Sequence, residues 1–184
     1  MELIPLKIEG AFRVALNTLY DHRGFFVRTY DRDEFIKHKL VTEWMYEYHS
    51  FSAKKGIVRG LHFQRPPHAE TKLVRVGQGR VYMILLDLRA DSPTFGVWDN
   101  ATLSIEKPEL LYAPKGLAMG MCTLSDDCSL LYKMEQAYEP KSARTIRFND
   151  PALAIPWPVG EPILSDKDKA APLLKDFLAL EGAL

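Results

Sequence analysis

The sequence predicts an all-β protein built as a sandwich or barrel. Two observations carry this. Short apolar runs of strand length alternate with glycine- and proline-rich turns along most of the chain. Residues 81–88 form a nearly continuous apolar run, which suits a strand covered on both faces. Many short strands with such turns argue for a sandwich or barrel.

The strands expected in order are 25–30, 73–76, 81–88, 101–104, 110–113, 129–134 and 145–148. Gly56, Gly77, Gly79, Pro93, Gly96, Pro114, Gly116, Pro140 and Asp150-Pro151 punctuate them. Two segments read as helical. Residues 31–40 open with acids and close with lysines, as the helix dipole prefers. The tail, 165–184, opens on Ser165-Asp166-Lys167-Asp168, a capped turn, and carries Leu173, Leu174, Phe177, Leu178 and Leu180 for packing on the sheet or on a partner.

The totals narrow the function classes. A chain of 184 residues fits one domain, 1–184, with one core. Its 24 Lys and Arg balance 24 Asp and Glu, so nothing general favours nucleic acid or a membrane surface, and neither is expected as a partner. No run of about 18 apolar residues is available to span a bilayer. Cys122 and Cys128 have no metal-ligand or secreted-type spacing, and the N-terminus lacks a signal-like pattern. A reducing, cytoplasmic location is the expectation.

Functional side chains are densest in Arg59-Gly60-Leu61-His62-Phe63-Gln64, followed by Lys72. Strict alternation forbids Arg59 and His62 from facing the same way, and the intervening glycine suggests a bulge or a close approach, which can re-aim a side chain. Cations in an apolar wall need an anionic partner or a ligand. Two cations and a histidine there form a reasonable pocket for a phosphorylated ligand with an acidic C–H, with His62 as base and Lys72 steadying an enolate. Tyr132 and Tyr138 fall at even spacing, so they could share a strand face; a structural role is the simpler reading of each. His62 and His68 with Glu70 are the one conceivable metal set, but His68 sits in an apparent exposed loop. No metal or other cofactor is expected.

Ordered motifs then carry a resemblance from end to end. They are Asp21-His22-Arg23-Gly24-Phe25-Phe26, Val58-Arg59-Gly60-Leu61-His62-Phe63-Gln64, Lys72-Leu73-Val74-Arg75, Ser92-Pro93-Thr94-Phe95-Gly96, Tyr112-Ala113-Pro114-Lys115-Gly116, Leu131-Tyr132-Lys133, Tyr138-Glu139-Pro140 and Leu164-Ser165-Asp166-Lys167-Asp168. On these the chain resembles the dTDP-4-dehydrorhamnose 3,5-epimerase family. The resemblance implies a cupin-like jelly roll with short flanking helices and a C-terminal helical tail. It also implies a metal-free homodimer acting on nucleotide-diphosphate 4-keto-6-deoxyhexoses. The C4 ketone of such a sugar acidifies C3–H and C5–H, so a base can remove either proton and reprotonation from the other face inverts that carbon. Carried over, His62 is the base, Asp168 orients it, Tyr132 returns the proton and Lys72 holds the oxyanion. Arg23 and Arg59 hold the diphosphate, and Tyr138 lines the sugar or base pocket. Phe26, Glu47, His49, Met119 and Lys167 complete the implied substrate contacts.

Departures from the family pattern cluster near the base. Met119 stands in Gly116-Leu117-Ala118-Met119-Gly120 where a histidine is usual, and Met83 where an aspartate is usual. Glu47-Tyr48-His49-Ser50 replaces Gln-x-Asn-x-Ser, and Arg28 replaces a common glutamate; Glu47 is expected to face a sugar hydroxyl or to pair with Arg28. A less polar pocket suits a substrate lacking a hydroxyl. Three readings therefore stand: the full 3,5-epimerase; a variant for one carbon or for a CDP- or GDP-linked, 3-deoxy or heptose sugar; and a non-catalytic sugar-nucleotide-binding cupin.

Overall fold

The computed structural model describes residues 1–184. One antiparallel sheet has six strands, in the order β1 (Glu2–Pro5), β2 (Phe12–Ala15), β10 (Glu109–Ala113), β7 (Lys72–Gln78), β12 (Cys128–Met134) and β5 (Tyr46–Ser52). The other has five, in the order β13 (Ala143–Thr145), β6 (Val58–Gln64), β11 (Leu117–Thr123), β8 (Arg80–Asp87) and β9 (Trp98–Ser104). A separate hairpin pairs β3 (Thr18–Asp21) with β4 (Gly24–Val27). The helices are α1 (Arg32–Lys37), α2 (Asp166–Lys169) and α3 (Leu174–Glu181). The sheets pack face to face as a jelly roll.

Alternation along β8 explains its apolar run. Val81, Met83 and Leu85 enter the core between the sheets, with Val74, Val76, Met119, Met121 and Leu130. Ile84 and Leu86 face the opposite way, into a second cluster with Leu61, Phe63 and Phe177. Both faces are buried, as expected. Phe177 of α3 meets Phe63 edge-on at 5.3 Å, so the tail covers this chain's own sheet. The far face of the six-stranded sheet is covered by α1 through Phe35, which packs with Leu73, Leu110 and Tyr112.

The expected runs at 73–76, 101–104, 110–113 and 129–134 lie inside strands, and 81–88 overruns β8 by one residue. The run at 25–30 stops at Val27, because Tyr30 turns inward onto Phe35 (5.0 Å) and Asp31 caps α1. The run at 145–148 keeps only Thr145 in strand form. Beyond it, Ile146 exchanges two backbone hydrogen bonds with Leu61 (3.0 and 2.9 Å) before the chain leaves the sheet. Strand β11 was hidden in the sequence by Gly116 and Gly120. The tail is two helices rather than one, interrupted around Pro172, which has no amide to donate. Ser165 does cap the first, its Oγ accepting from the Asp168 amide at 3.2 Å. No helix is long and apolar enough to cross a membrane.

Candidate active site

A cavity of about 380 Å³ opens at one end of the sandwich, between the two sheets. Its walls follow from strand alternation. Lys72 points inward like Val74 and Tyr132 like Leu130, and Met119 and Met121 share the inner face of β11 while Ala118 faces outward. Arg59 and His62 both line the cavity although they are three apart. The β6–β11 register supplies the reason: Met119 pairs with His62 and Met121 with Arg59, so β6 carries one extra residue there. That bulge needs Gly60. Its φ is +98°, and an added Cβ would lie 2.5 Å from the Met119 carbonyl oxygen.

His62 Nε2 lies 2.6 Å from Asp168 Oδ1. Asp168 is buried, and its other oxygen accepts from Ser165 Oγ at 2.9 Å. Burial pushes the Asp168 carboxyl up, but hydrogen bonds from His62, Ser165 and the Gly60 amide outweigh it and hold the pKa below the ordinary value. A histidine that donates through Nε2 to this carboxylate keeps Nδ1 as the basic nitrogen. Lys72 Nζ donates to the His62 carbonyl at 3.1 Å and pairs with Glu70 at 3.0 Å. Tyr132 comes from the facing sheet, its oxygen accepting from Ser50 Oγ at 3.4 Å. Burial pushes its phenol pKa up, against smaller opposing effects of Ser50 and Arg59, so it is a proton donor at neutral pH. The cavity thus has a histidine supported by a carboxylate on one wall and a neutral phenol on the other.

The family model described as dTDP-4-dehydrorhamnose 3,5-epimerase matches residues 5–176. The chain belongs to the dTDP-4-dehydrorhamnose 3,5-epimerase family. It is 44% identical over 165 residues to that epimerase of Salmonella typhimurium, covering 88% of each chain. A Streptomyces niveus dTDP-4-dehydrorhamnose 3-epimerase is 34% identical, over 96% of this chain and 85% of its own. The crystal structure of the 3,5-epimerase from Bacillus anthracis, with TDP and PPi bound, superposes with a TM-score of 0.91 at 40% identity, covering 94% of this chain and 99% of that one. The family and the jelly-roll fold expected from the motifs are therefore shown.

Of the side chains the epimerase resemblance singled out, His62, Lys72, Tyr132, Arg59, Met119, Tyr138 and Lys167 line the cavity, and Asp168 stands behind His62. Four do not reach it within this chain. Arg23 and Phe26 lie exposed on the β3–β4 hairpin, where Arg23 pairs with Asp21. Glu47 and His49 point to the outer side of β5, because alternation turns Tyr48 and Ser50 inward opposite Tyr132. Glu47 pairs with Lys133 at 3.1 Å and Arg28 with Asp31, so the two do not meet each other. His68 is half-buried, not loosely exposed, with Nδ1 2.9 Å from Ser142 Oγ. Tyr48, Glu70 and Arg144 line the cavity without having been singled out for it. The i, i+2 relation of Tyr48 to Ser50, and of Glu70 to Lys72, was the available signal.

Proposed function

We propose that this chain, as one epimerase domain over 1–184, inverts C3, C5 or both of a nucleotide-diphosphate-linked 4-keto-6-deoxyhexose. The observation that carries the reading is the pairing of opposite walls. His62 stands on the five-stranded sheet, backed by Asp168 of α2, and Tyr132 on the six-stranded sheet, with the cavity between them. Inversion needs a base on one face of the carbon and an acid on the other.

In this scheme His62 takes the proton next to the ketone. The electron pair moves onto the C4 oxygen as an enolate, steadied by the N–H of Lys72 that Glu70 and the His62 carbonyl leave free. Asp168 balances the charge on His62. As the enolate collapses, Tyr132 protonates the carbon from the other side, and solvent restores both residues. Arg59, Arg144 and Lys167 give the cavity a cationic side for the diphosphate, and Tyr138 an aromatic rim for the base. The TDP held by the Bacillus anthracis relative supports a nucleotide there.

A homodimer is part of the proposal. Leu19, Tyr20, Phe25 and Phe26 leave the β3–β4 hairpin apolar and exposed, a surface that a second copy would cover and that would carry Arg23 and Phe26 to another chain. Two buried free thiols, Cys122 and Cys128, support the cytoplasm as its compartment.

A second reading has its own observation. Met83 and Met119 are buried in the wall beside His62, which favours a substrate with fewer polar groups or inversion at one carbon. Incubation with dTDP-4-keto-6-deoxyglucose in deuterated water, followed by NMR, decides between them. Exchange at C3 and C5, lost in His62→Ala, is the expected result. Exchange at one carbon assigns the second reading, and none at any keto sugar nucleotide overturns catalysis.

A further inference from the structure

Glu70 is the only carboxylate lining the cavity. It stands two residues before Lys72 on the same face, and its side chain is 4% exposed. One oxygen pairs with Lys72 at 3.0 Å. The other, Oε2, is buried without any hydrogen-bond partner. Five buried side-chain atoms in the molecule share that condition, and this one alone belongs to a cavity residue. A buried acceptor left unpaired is costly, and a ligand that donates to it recovers the loss.

The neighbours restrict what that ligand group is. Met83, Met119, Met121 and Met134 offer no strong acceptor. Gln64 is spent: its amide donates to the carbonyls of His68 and Ala137, and its oxygen accepts from the Glu139 amide. A phosphate would be repelled by the carboxylate. An ammonium would enter a cavity that already holds Arg59, Lys72, Arg144 and Lys167, beside a carboxylate whose charge Lys72 already balances. A neutral O–H donor remains.

Resting on the reading of this cavity as a sugar-nucleotide site, we infer that Glu70 is a specificity-determining residue whose free oxygen accepts a hydrogen bond from a ring hydroxyl of the sugar, close to His62. The residue does not touch the reacting carbon. It selects a hydroxylated sugar, because an analogue without that hydroxyl leaves the acceptor unpaired.

The test uses binding, so it does not depend on turnover. Dissociation constants of the unreactive dTDP-glucose and of its 2-deoxy, 3-deoxy and 3-amino-3-deoxy analogues are measured calorimetrically for wild type and Glu70→Gln. The amide keeps the shape and an oxygen for Lys72, but presents N–H where the acceptor was. Wild type is expected to bind one deoxy analogue about tenfold or more weakly than dTDP-glucose. Glu70→Gln should bind the two with similar affinity. Equal weakening of every ligand by Glu70→Gln would mean that Glu70 only holds Lys72, and overturns the inference. So does a wild type that does not discriminate, a result independent of whether the variant folds. A Glu70-dependent preference for the amino analogue overturns the hydroxyl assignment. Binding of no sugar nucleotide overturns this inference together with the reading it rests on. Lack of proton exchange beside intact discrimination overturns only the catalytic proposal.

Discussion

Two residues hold His62, the proposed base, in place. Asp168 is buried, and the net of its contacts keeps its carboxyl ionised below the usual carboxylate range. Its folded pKa is lower than its unfolded one, so the stability it contributes is fully present above the unfolded value of about 3.9 and is lost as pH falls toward the folded value. Asp168→Asn should therefore be less stable than wild type at neutral pH. In chemical denaturation that gap should narrow below about pH 4. The same variant should lower the exchange rate on the order of 10²-fold with little change in KM, since a positioned general base is worth roughly 10²–10⁴-fold. Gly60 is the second residue. Gly60→Ala places a methyl against the Met119 carbonyl at a left-handed φ. A loss of about 1–3 kcal/mol is expected by thermal unfolding. The exchange rate of the folded fraction should also drop, because the bulge that aims His62 is gone.

At the scale of elements, side-chain alternation decides most of the architecture. Strand β8 was legible because both of its faces are apolar, one toward the facing sheet and one toward α3. Strand β11 was not, because Gly116 read as a turn residue and Gly120 interrupts the apolar run that follows it. The structure puts Gly120 inside the strand, where an added Cβ would lie 2.6 Å from Leu61 Cδ2. A glycine there permits close packing rather than a turn, and only the neighbour across the sheet distinguishes the two uses. The C-terminal helix is held chiefly by Phe177, 2% exposed against Phe63. Phe177→Ala should cost about 3–5 kcal/mol in urea denaturation. Because α3 also anchors Arg144 and Arg65 through Glu181, the cavity rim should loosen with it.

For the whole molecule, the apolar hairpin is the feature one chain leaves unfinished. Leu19 and Phe26 are 69% and 76% exposed, an unusual state for neighbouring large apolar side chains. Sedimentation equilibrium is expected to give twice the chain mass for wild type. Phe26→Ser combined with Leu19→Ser should shift the protein toward monomer without unfolding it. A wild-type monomer would leave the hairpin without its proposed cover.

The sequence by itself determined the β class, because strand-length runs and turns are local properties, and its ordered motifs carried the family resemblance, which in turn implied that Asp168 supports His62. The glycine between Arg59 and His62 also pointed to a bulge or a close approach there. Tertiary structure alone decided which side chains share the cavity. Glu47 and His49 were read as substrate-facing, but pairing with β12 turned Tyr48 inward instead, and a strand's facing depends on register with its neighbour. The free oxygen of Glu70 was equally invisible in the sequence. Whether a carboxylate is satisfied depends on which groups the fold brings within hydrogen-bond reach, and spacing along the chain does not contain that distance.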